Sequence, residues 1–202
     1  MAYLVLVRHG ESLWNAKGLW TGFTDIGLSE KGKDEAKKAG QKIKNIKFDF
    51  AFSSPLIRAK ETLEIIEKEL GLENLPAEED RALNERDYGD FTGKNKWEIE
   101  KEVGHEQFIK IRRGWDEPIP GGETLKDVYE RVIPYFEQQI LPRLKSGENI
   151  LVSAHGNSLR ALVKFLDNIS DDEISDLEIP TGEVYIYKID PEGKIISKEI
   201  KN

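Results

Sequence analysis

Residues 3–7, with the sequence Tyr-Leu-Val-Leu-Val, form an uninterrupted apolar run, and Arg8-His9-Gly10 follows it directly. A strand that is apolar at every position is typical of the centre of a parallel sheet, where both faces are buried. Open sheets of this kind bind ligands beyond the carboxyl ends of their strands. We therefore expect an α/β fold in which Arg8 and His9 lie at the ligand-binding edge of the sheet.

A second apolar run, at residues 150–154, also ends in a His-Gly step, His155-Gly156. Parallel strands end at one edge of a sheet, so the spacing predicts that His9 and His155 lie close together. Each is followed by glycine and a polar segment and not by a continued apolar face, which favours a functional role over packing. His105 follows Gly104 on a polar stretch, and we interpret it as solvated.

Length and charge narrow the class of protein. The chain has 202 residues and a formal net charge of -8, which suits a single domain over residues 1–202. An acidic chain has no global basic field for nucleic acid or an anionic membrane, so we expect neither as a partner. An anionic ligand would require a local cluster of arginine and lysine.

Cysteine is absent from the sequence, which excludes disulfides, thiolate chemistry and cysteine metal sites. The first apolar run is much shorter than the core of a signal peptide, and no stretch approaches the roughly 20 apolar residues of a membrane span. We expect a soluble, cytoplasmic protein.

Apolar periodicity and turn residues predict the other elements. In chain order they are a helix over 29–44 capped by Ser29, a strand over 48–53, a helix over 54–70, helices over 96–103 and 106–113, a long helix from Thr124, a helix from Gly156, a short helix from the capping-box pattern Ser170 to Glu173, and an antiparallel hairpin over 183–200.

Three details of these predictions concern the loops and the helix boundaries. Residues 13–28 and 82–94 lack helical periodicity and are predicted as loops, and long loops in small domains are usually functional. Ser54 is predicted as the N-cap of its helix, with Pro55 in the first turn. Pro134 and Pro142 fall inside the long helical pattern, so we expect a kink or break there.

A cluster of cations is predicted near the two histidines. Arg8 precedes His9, and Arg58 falls in the first turn of a helix that starts at the same edge of the sheet. Guanidinium groups bind phosphate through paired hydrogen bonds, and backbone N–H groups at the amino end of the helix after His155 also favour an anion. Arg58 alone would be an ordinary surface cation, but the convergence predicts a phosphoryl site that contains an imidazole.

Arg8-His9-Gly10-Glu11-Ser12, Arg58 and the distant His155-Gly156-Asn157 together resemble the histidine phosphatase superfamily. That resemblance implies a three-layer α/β/α sandwich around a mostly parallel sheet. Within the superfamily, the chain is similar to the cofactor-dependent phosphoglycerate mutases from Leu4 to about Tyr187. The motifs that carry this similarity are Trp20-Thr21-Gly22, Leu83-Asn84-Glu85-Arg86-Asp87-Tyr88-Gly89, Arg112-Arg113-Gly114 and Pro180-Thr181-Gly182.

The resemblance implies an isomerase that interconverts 3-phosphoglycerate and 2-phosphoglycerate and is primed by 2,3-bisphosphoglycerate. It implies His9 as the nucleophile that becomes phosphohistidine, His155 as the group that stabilises the phosphoryl group in transfer, and Glu85 as general acid and base. The residues implied for the phosphoryl site are Arg8, Ser12, Asn15, Arg58, Gly156 and Asn157. Those implied for the carboxylate and second phosphate of the glycerate are Thr21, Gly22, Tyr88, Lys96, Arg112 and Arg113.

One departure from the family pattern leaves an alternative open. Many members carry a longer insertion after Arg-Arg-Gly, whereas here only residues 115–122 separate it from the next helix. In the family this insertion covers the active site as a lid. A shorter lid would admit water to phosphohistidine, which favours a phosphatase acting on phosphate monoesters. A third reading, a non-catalytic phosphate-binding module, would require the loss of His9, Glu85 or His155, and all three are present.

Further expectations concern protonation, metals and partners. His9 must be neutral to act as a nucleophile. Neighbouring guanidinium groups should favour that form, because their positive charge lowers the pKa of the imidazole. No metal site is expected, since the histidines are engaged in phosphoryl transfer and the acidic residues show no ligand spacing with them. Small phosphoglycerates are the implied partners, and the sequence leaves monomer, dimer and tetramer open. Four residues are interpreted as packing residues outside the site: Trp14, Trp20, Trp97 and Trp115.

Overall fold

The computed structural model of the protein describes residues 1–72 and 74–201. Its strands are β1 (Ala2–Arg8), β2 (Phe50–Ser53), β3 (Ala77–Glu79), β4 (Ile150–Ala154), β5 (Val184–Ile189) and β6 (Ile195–Lys201). They form one sheet in the order β3-β2-β4-β1-β5-β6. The first four strands of that order run parallel, whereas β5 is antiparallel to β1 and β6 is antiparallel to β5.

Helices cover both faces of the sheet. They are α1 (Leu13–Ala16), α2 (Glu30–Lys42), α3 (Ile57–Leu70), α4 (Lys96–Val103), α5 (His105–Arg113), α6 (Leu125–Tyr135), α7 (Leu141–Ser146) and α8 (Gly156–Asp167). Buried side chains of α2 and α3 form the core on one face, and those of α6, α7 and α8 form the core on the other. The expected three-layer sandwich around a mostly parallel sheet is confirmed.

The all-apolar pattern of β1 follows from its central position. Leu4 and Leu6 pack into the core under α6 and α8, whereas Val5 and Val7 pack into the core under α2 and α3. All four side chains are fully buried, and each such burial stabilises the fold by about 1.5–3 kcal/mol relative to exposure. Since β1 lies between β4 and β5, its carboxyl end delivers His9 to the middle of the sheet edge.

The register of the parallel strands brings three chain segments to that edge. Arg8 pairs with Ala154 and Ser53 pairs with Ser153, so the residues that follow β1, β4 and β2 emerge side by side. The chain after β1 is held by a close backbone approach to α2, because a Cβ on Gly10 would lie 2.1 Å from the carbonyl oxygen of Gly32. Glycine at position 10 is therefore a packing requirement.

A small additional layer lies over the carboxyl edge of the sheet. Helices α4 and α5 match their predicted ranges to within a residue and bury a separate apolar cluster. Trp20, Tyr88 and Phe108 are its largest members, and Trp20 packs on Tyr88 with ring centroids 4.4 Å apart. This layer brings the Lys96 and Arg112 region over the ends of the strands.

The two segments predicted as loops contain short helical pieces. Residues 13–28 include α1, which has a full capping box between Ser12 and Asn15, and a bridge that pairs Ser12 with Leu28. Four residues are too few for apolar periodicity to show in a sequence. Residues 82–94 are irregular except for 3₁₀ turns at Arg81–Leu83 and Gly89–Phe91.

The prediction of Ser54 as an N-cap is wrong. Helix α3 begins at Ile57 with Leu56 as its N-cap, and that cap makes no side-chain hydrogen bond. Ser54 instead accepts from the Leu56 N–H and contacts His155. The predicted strand over 48–53 starts at Phe50, and β3 was not predicted because its three residues, Ala77–Glu79, have no apolar pattern.

The break expected near Pro134 and Pro142 is present. Pro134 lies within α6, the chain then makes a π turn over Phe136–Ile140, and Pro142 lies in the first turn of α7. The capping box of Ser170 and Glu173 forms as predicted, but it starts only a 3₁₀ turn, Glu173–Asp176. The C-terminal hairpin of β5 and β6 is confirmed. Among the described residues, no helix has the length and apolarity needed to cross a membrane.

Candidate active site

His9 lies at the end of β1 with one ring nitrogen committed. Its Nδ1 is 2.7 Å from the carbonyl oxygen of Gly10, and since a carbonyl only accepts, Nδ1 carries the proton. The lone pair is therefore on Nε2, which is the nucleophilic nitrogen of a neutral imidazole. The residue is 2% exposed, so its orientation is fixed by the surrounding side chains.

The expected lowering of the His9 pKa is confirmed, although burial contributes more than charge. Desolvation of the ring is the largest cause, and the guanidinium groups of Arg58 and Arg8 add to it, so the pKa of His9 lies well below its usual 6.5. Burial disfavours the charged form of a histidine. The imidazole is therefore neutral, and able to attack, throughout the physiological pH range.

His155 follows β4 and lies beside His9, with ring centroids 4.9 Å apart. Its Nε2 is 2.5 Å from Ser54 Oγ, while its buried Nδ1 has no hydrogen-bond partner within the described part of the chain. Burial, followed by Arg58 and His9, holds the pKa of His155 well below its ordinary value.

Glu85 completes a group of three buried side chains. One oxygen of its carboxylate, one ring nitrogen of His9 and one ring nitrogen of His155 all lie within 4.8 Å of one another. Asn157 holds this carboxylate by its backbone N–H, 3.1 Å from Oε1, and by its side-chain Nδ2 at 3.0 Å. The amino end of α8 was predicted to bind an anion, and in the structure the Glu85 carboxylate receives one of its N–H groups.

Arg8 and Arg58 are anchored by backbone carbonyls. Arg8 Nη1 donates to Ile179 O at 2.5 Å, and Arg58 donates to the carbonyls of Gly22 and Thr24. Burial lowers the pKa of Arg58 to about 10, so its side chain is still charged at neutral pH. Two guanidinium charges are thus fixed in place before any ligand arrives, which is the preorganisation that phosphoryl transfer requires.

Two adjoining cavities open above these groups. The first, which we call the phosphoryl cavity, is lined by His9 and by three other predicted residues, Asn15, Thr21 and Arg58. The second, which we call the anchor cavity, is lined by the predicted residues Arg112, Arg113, Gly156 and Asn157. Both cavities share the four residues Arg8, Glu85, Tyr88 and Lys96.

The anchor cavity is strongly cationic. Burial, with Arg112 and Arg8 as further causes, lowers the pKa of Lys96 to about 8. Burial also raises the pKa of Tyr88 to about 12, so its phenol keeps its proton and accepts a hydrogen bond from Asn157 Nδ2. Because four of the lining side chains are arginines, Arg8, Arg112, Arg113 and Arg160, this cavity suits a second anionic group next to the phosphoryl cavity.

Some predicted residues lie outside both cavities, among the residues that the structure describes. Ser12 is fully buried, and its hydroxyl accepts from the Asn15 N–H. Gly22 contributes its carbonyl to Arg58 and has a positive φ of 52°. His155 lies behind the wall of the phosphoryl cavity next to His9. Ser12 and Gly22 thus shape the site through Asn15 and Arg58.

Other residues of the site were missed in the sequence. Arg160 lines the anchor cavity and donates to Asn157 Oδ1 at 2.9 Å. Its position three residues after Asn157 on α8 could have indicated it, because such residues share a helix face. Trp20 was assigned to packing only, but it also forms a wall of the anchor cavity. Ser54 could have been found from the parallel register of β2 and β4.

The sequence shows no acidic residue at a metal-ligand spacing from the two histidines. In the structure, however, Glu85 lies beside His9 and His155 in a geometry that could ligate a cation. The electrostatic surroundings oppose it. Burial lowers the pKa values of both imidazoles and the charges of Arg58 and Arg8 add to this effect; the same two charges repel a divalent cation. The site therefore favours an anion.

Comparisons with known proteins identify the family of the chain. The family model described as histidine phosphatase superfamily (branch 1) matches residues 4–200. The 2,3-bisphosphoglycerate-dependent phosphoglycerate mutase of Parvibaculum lavamentivorans is 50% identical over 98% of this chain and 95% of that protein. The protein of the same name from Nitrobacter hamburgensis is 51% identical over 96% of this chain and 95% of its own length.

Solved structures show the same fold. Bacillus stearothermophilus YhfR has a TM-score of 0.82 and 28% identity, over 96% of this chain and 94% of that one. A mycobacterial glucosyl-3-phosphoglycerate phosphatase in complex with VO3 has a TM-score of 0.83 at 22% identity, over 100% and 98%, which bears on the fold alone. The chain therefore belongs to the histidine phosphatase superfamily, in its 2,3-bisphosphoglycerate-dependent phosphoglycerate mutase family.

Proposed function

We propose that the chain interconverts 3-phosphoglycerate and 2-phosphoglycerate, a step of glycolysis and gluconeogenesis, through a phosphohistidine at His9. The observation that carries this proposal is the pairing of the two cavities. A neutral nucleophile stands in the phosphoryl cavity, and a second cationic cavity adjoins it. A phosphatase needs only the first, whereas a mutase must also hold the substrate by another anionic group.

The first chemical step is attack by Nε2 of His9 on phosphorus. The N–P bond forms as the bond from phosphorus to the substrate oxygen breaks, and negative charge spreads over the equatorial oxygens. Arg8 and Arg58 stabilise that charge together with His155, whose ring centroid lies 4.9 Å from that of His9. Glu85 gives a proton to the leaving oxygen.

The second step runs in the opposite direction on a bound monophosphoglycerate. Glu85 takes the proton of the free hydroxyl, which then attacks the phosphorus on His9. The substrate is retained by Lys96, Arg112 and Arg113 while it reorients, so that His9 can take the other phosphoryl group. When bound, 2,3-bisphosphoglycerate supplies the phosphoryl group that first loads His9. The cationic lining of the two adjoining cavities fits such a polyanion.

One observation favours the phosphatase as a second candidate. Residues 115–122 pack beside residues 87–90, for example through the hydrogen bond from Asp90 N to Pro120 O. None of these eight residues lines either cavity. In the described part of the chain, that segment therefore forms no wall of either cavity, which favours access of water to phosphohistidine.

The proposal is tested by phosphorus NMR of purified protein with 3-phosphoglycerate and a catalytic amount of 2,3-bisphosphoglycerate. We expect 2-phosphoglycerate as the dominant product, and its loss in His9→Ala. His105→Ala is the matched control, since this third histidine is exposed and paired with Glu100, and it should keep full activity. Dominant inorganic phosphate from the parent chain would instead establish the phosphatase.

We further propose that the reaction takes place in the cytoplasm and requires no metal ion. Arg8, Arg58 and His155 already provide the charge stabilisation that a metal supplies in other phosphoryl transferases. Chelation with EDTA in the same NMR assay should leave the rate unchanged, and a rate restored by a divalent cation would contradict this.

A further inference from the structure

Glu178 is an acidic residue on the wall of the cationic anchor cavity. It follows the 3₁₀ turn Glu173–Asp176 and lies opposite the end of α5. Its carboxylate accepts a short hydrogen bond from Arg113 Nη2, and its other oxygen is 3.6 Å from Arg112 Nη2. One carboxylate therefore spans the pair of guanidinium groups that we assign to the substrate.

The contact of Glu178 with Arg112 and Arg113 resembles the contact that an anionic ligand would make with these arginines. Arginine binds carboxylates and phosphates through the same N–H groups, so Glu178 and a substrate anion compete for Arg112 and Arg113. The pair is only partly buried, with side-chain exposures of 30%, 25% and 50% for Arg112, Arg113 and Glu178. Ion pairs this exposed are weak, so an incoming anion can replace the carboxylate.

The backbone around Glu178 is held firmly while its side chain is free to turn. On one side, Leu177 O accepts from Arg160 Nε at 3.0 Å. On the other side, Ile179 O accepts from Arg8 Nη1. Exchange of the carboxylate for a ligand therefore needs only rotation of the half-exposed Glu178 side chain into solvent, without any shift of the segment that carries it.

We propose that Glu178 is a specificity-determining residue that occupies the anchor cavity of the free protein and is displaced only by a ligand with a second anionic group. This inference rests on the proposed function, because it concerns the anchor for that substrate. A ligand with one phosphate fills the phosphoryl cavity and leaves Glu178 paired. A phosphoglycerate also brings its carboxylate or second phosphate, which releases Glu178.

The test is Glu178→Gln, which keeps the shape of the side chain and removes its charge. Dissociation constants are measured by titration calorimetry for 3-phosphoglycerate and for glycerol 3-phosphate, which lacks the carboxylate. Without a charged competitor, we expect binding of 3-phosphoglycerate to tighten by about fivefold. Binding of glycerol 3-phosphate should change by less than about twofold, since it does not compete with Glu178.

Glu106→Gln is the matched control. It removes the same charge from α5, where Glu106 pairs with Lys110 on the exposed face, and should alter neither constant. Equal tightening of both ligands in Glu178→Gln would overturn the inference, because it would indicate a general charge effect. Weaker binding of 3-phosphoglycerate would also overturn it and make Glu178 a support for the arginines.

The binding readout separates this inference from the proposed function. If the parent chain forms 2-phosphoglycerate but Glu178→Gln leaves the ratio of the two dissociation constants unchanged, only the inference fails. If the ratio changes as expected but the parent chain forms no 2-phosphoglycerate, the function as a mutase fails and the anchor for two anions stands.

Discussion

Lys96 is shared by both cavities and is the side chain whose charge is most sensitive to alkaline pH. Its amine lies 5.6 Å from the centre of the Trp20 ring, and burial with the nearby Arg112 and Arg8 lowers its pKa to about 8. A lowered lysine pKa means that the cation is lost at a pH where an ordinary lysine is still charged. The affinity for anionic substrates should therefore depend on pH above neutrality.

We expect the KM for 3-phosphoglycerate to rise by at least about fivefold between pH 7 and pH 9.5, because a hydrogen bond from a charged donor is lost. Initial rates of the mutase reaction measured across this range provide the test. In Lys96→Arg the side chain stays protonated, so its KM should remain flat. A parallel rise of KM in both proteins would place the ionisation on another group.

At the level of residues, the cations that attract a phosphate can be recognised in a sequence. The side chains that pair with those cations in the folded protein are much harder to recognise. Arg8, Arg58, Arg112 and Arg113 could be proposed because cations near a strand end have a direct chemical meaning. Glu178 could not, since a single acidic residue in a chain with 38 acidic side chains has no local pattern that distinguishes it. Its pairing with α5 exists only in three dimensions.

The contact between the turn after β1 and the first turn of α2 connects two elements at the nucleophile. A Cβ on Gly10 would meet Gly32 O at 2.1 Å, and a Cβ on Gly32 would meet Glu11 O at the same distance. Gly10 also supplies the carbonyl that holds His9 Nδ1. Helix α2 thus positions the turn that carries the imidazole through this backbone contact and through Glu35, whose carboxylate accepts from the Glu11 N–H.

Gly10→Ala should therefore lower both stability and phosphoryl transfer. Overpacking of this kind costs about 1–3 kcal/mol, measured as a lower free energy of unfolding in urea, and the displaced carbonyl should slow phosphorylation of His9. Gly27→Ala is the control, because its added Cβ would meet only the flexible end of Glu61, at 3.2 Å. Wild-type stability in Gly10→Ala would mean that the turn can move away from α2.

Elements with many residues were the easiest to predict. β1 and β4 were predicted from apolar runs, and α2, α5 and α8 from helical patterns of two turns or more; their positions agree with the structure. The errors fall where a tertiary contact decides a boundary. Ser54 has the chemistry of an N-cap, but its hydroxyl is taken by His155 and by the Leu56 N–H, so the helix starts later.

The molecule as a whole contains two cores on either face of one sheet and a third apolar cluster over its edge. The third cluster is tied to the rest by Arg86, whose buried guanidinium donates to Ile111 O, Glu117 O and Glu123 O. Such buried ties make independent unfolding of the edge layer costly. We predict that residues 1–202 form one cooperative domain.

Urea unfolding followed by two probes tests this prediction. Tryptophan fluorescence reports mainly on the edge layer, because Trp20 and Trp97 both pack on Phe108 there, whereas far-ultraviolet circular dichroism reports on the sheet and its helices. The two transitions should coincide. A fluorescence transition at lower urea would show that α4 and α5 unfold as a separate unit.

The central position of β1 also has a consequence for how the protein is made in a cell. Tyr3 hydrogen-bonds Asn149, 146 positions later, and β4 and β5 flank β1 in the finished sheet. At ribosomal speeds of about 5–20 residues per second, synthesis of the roughly 180 residues between the end of β1 and the end of β5 takes about 9 to 36 seconds. During translation the apolar side chains and backbone groups of β1 are unpaired, so we expect the nascent chain to be most prone to aggregation before β4 and β5 emerge.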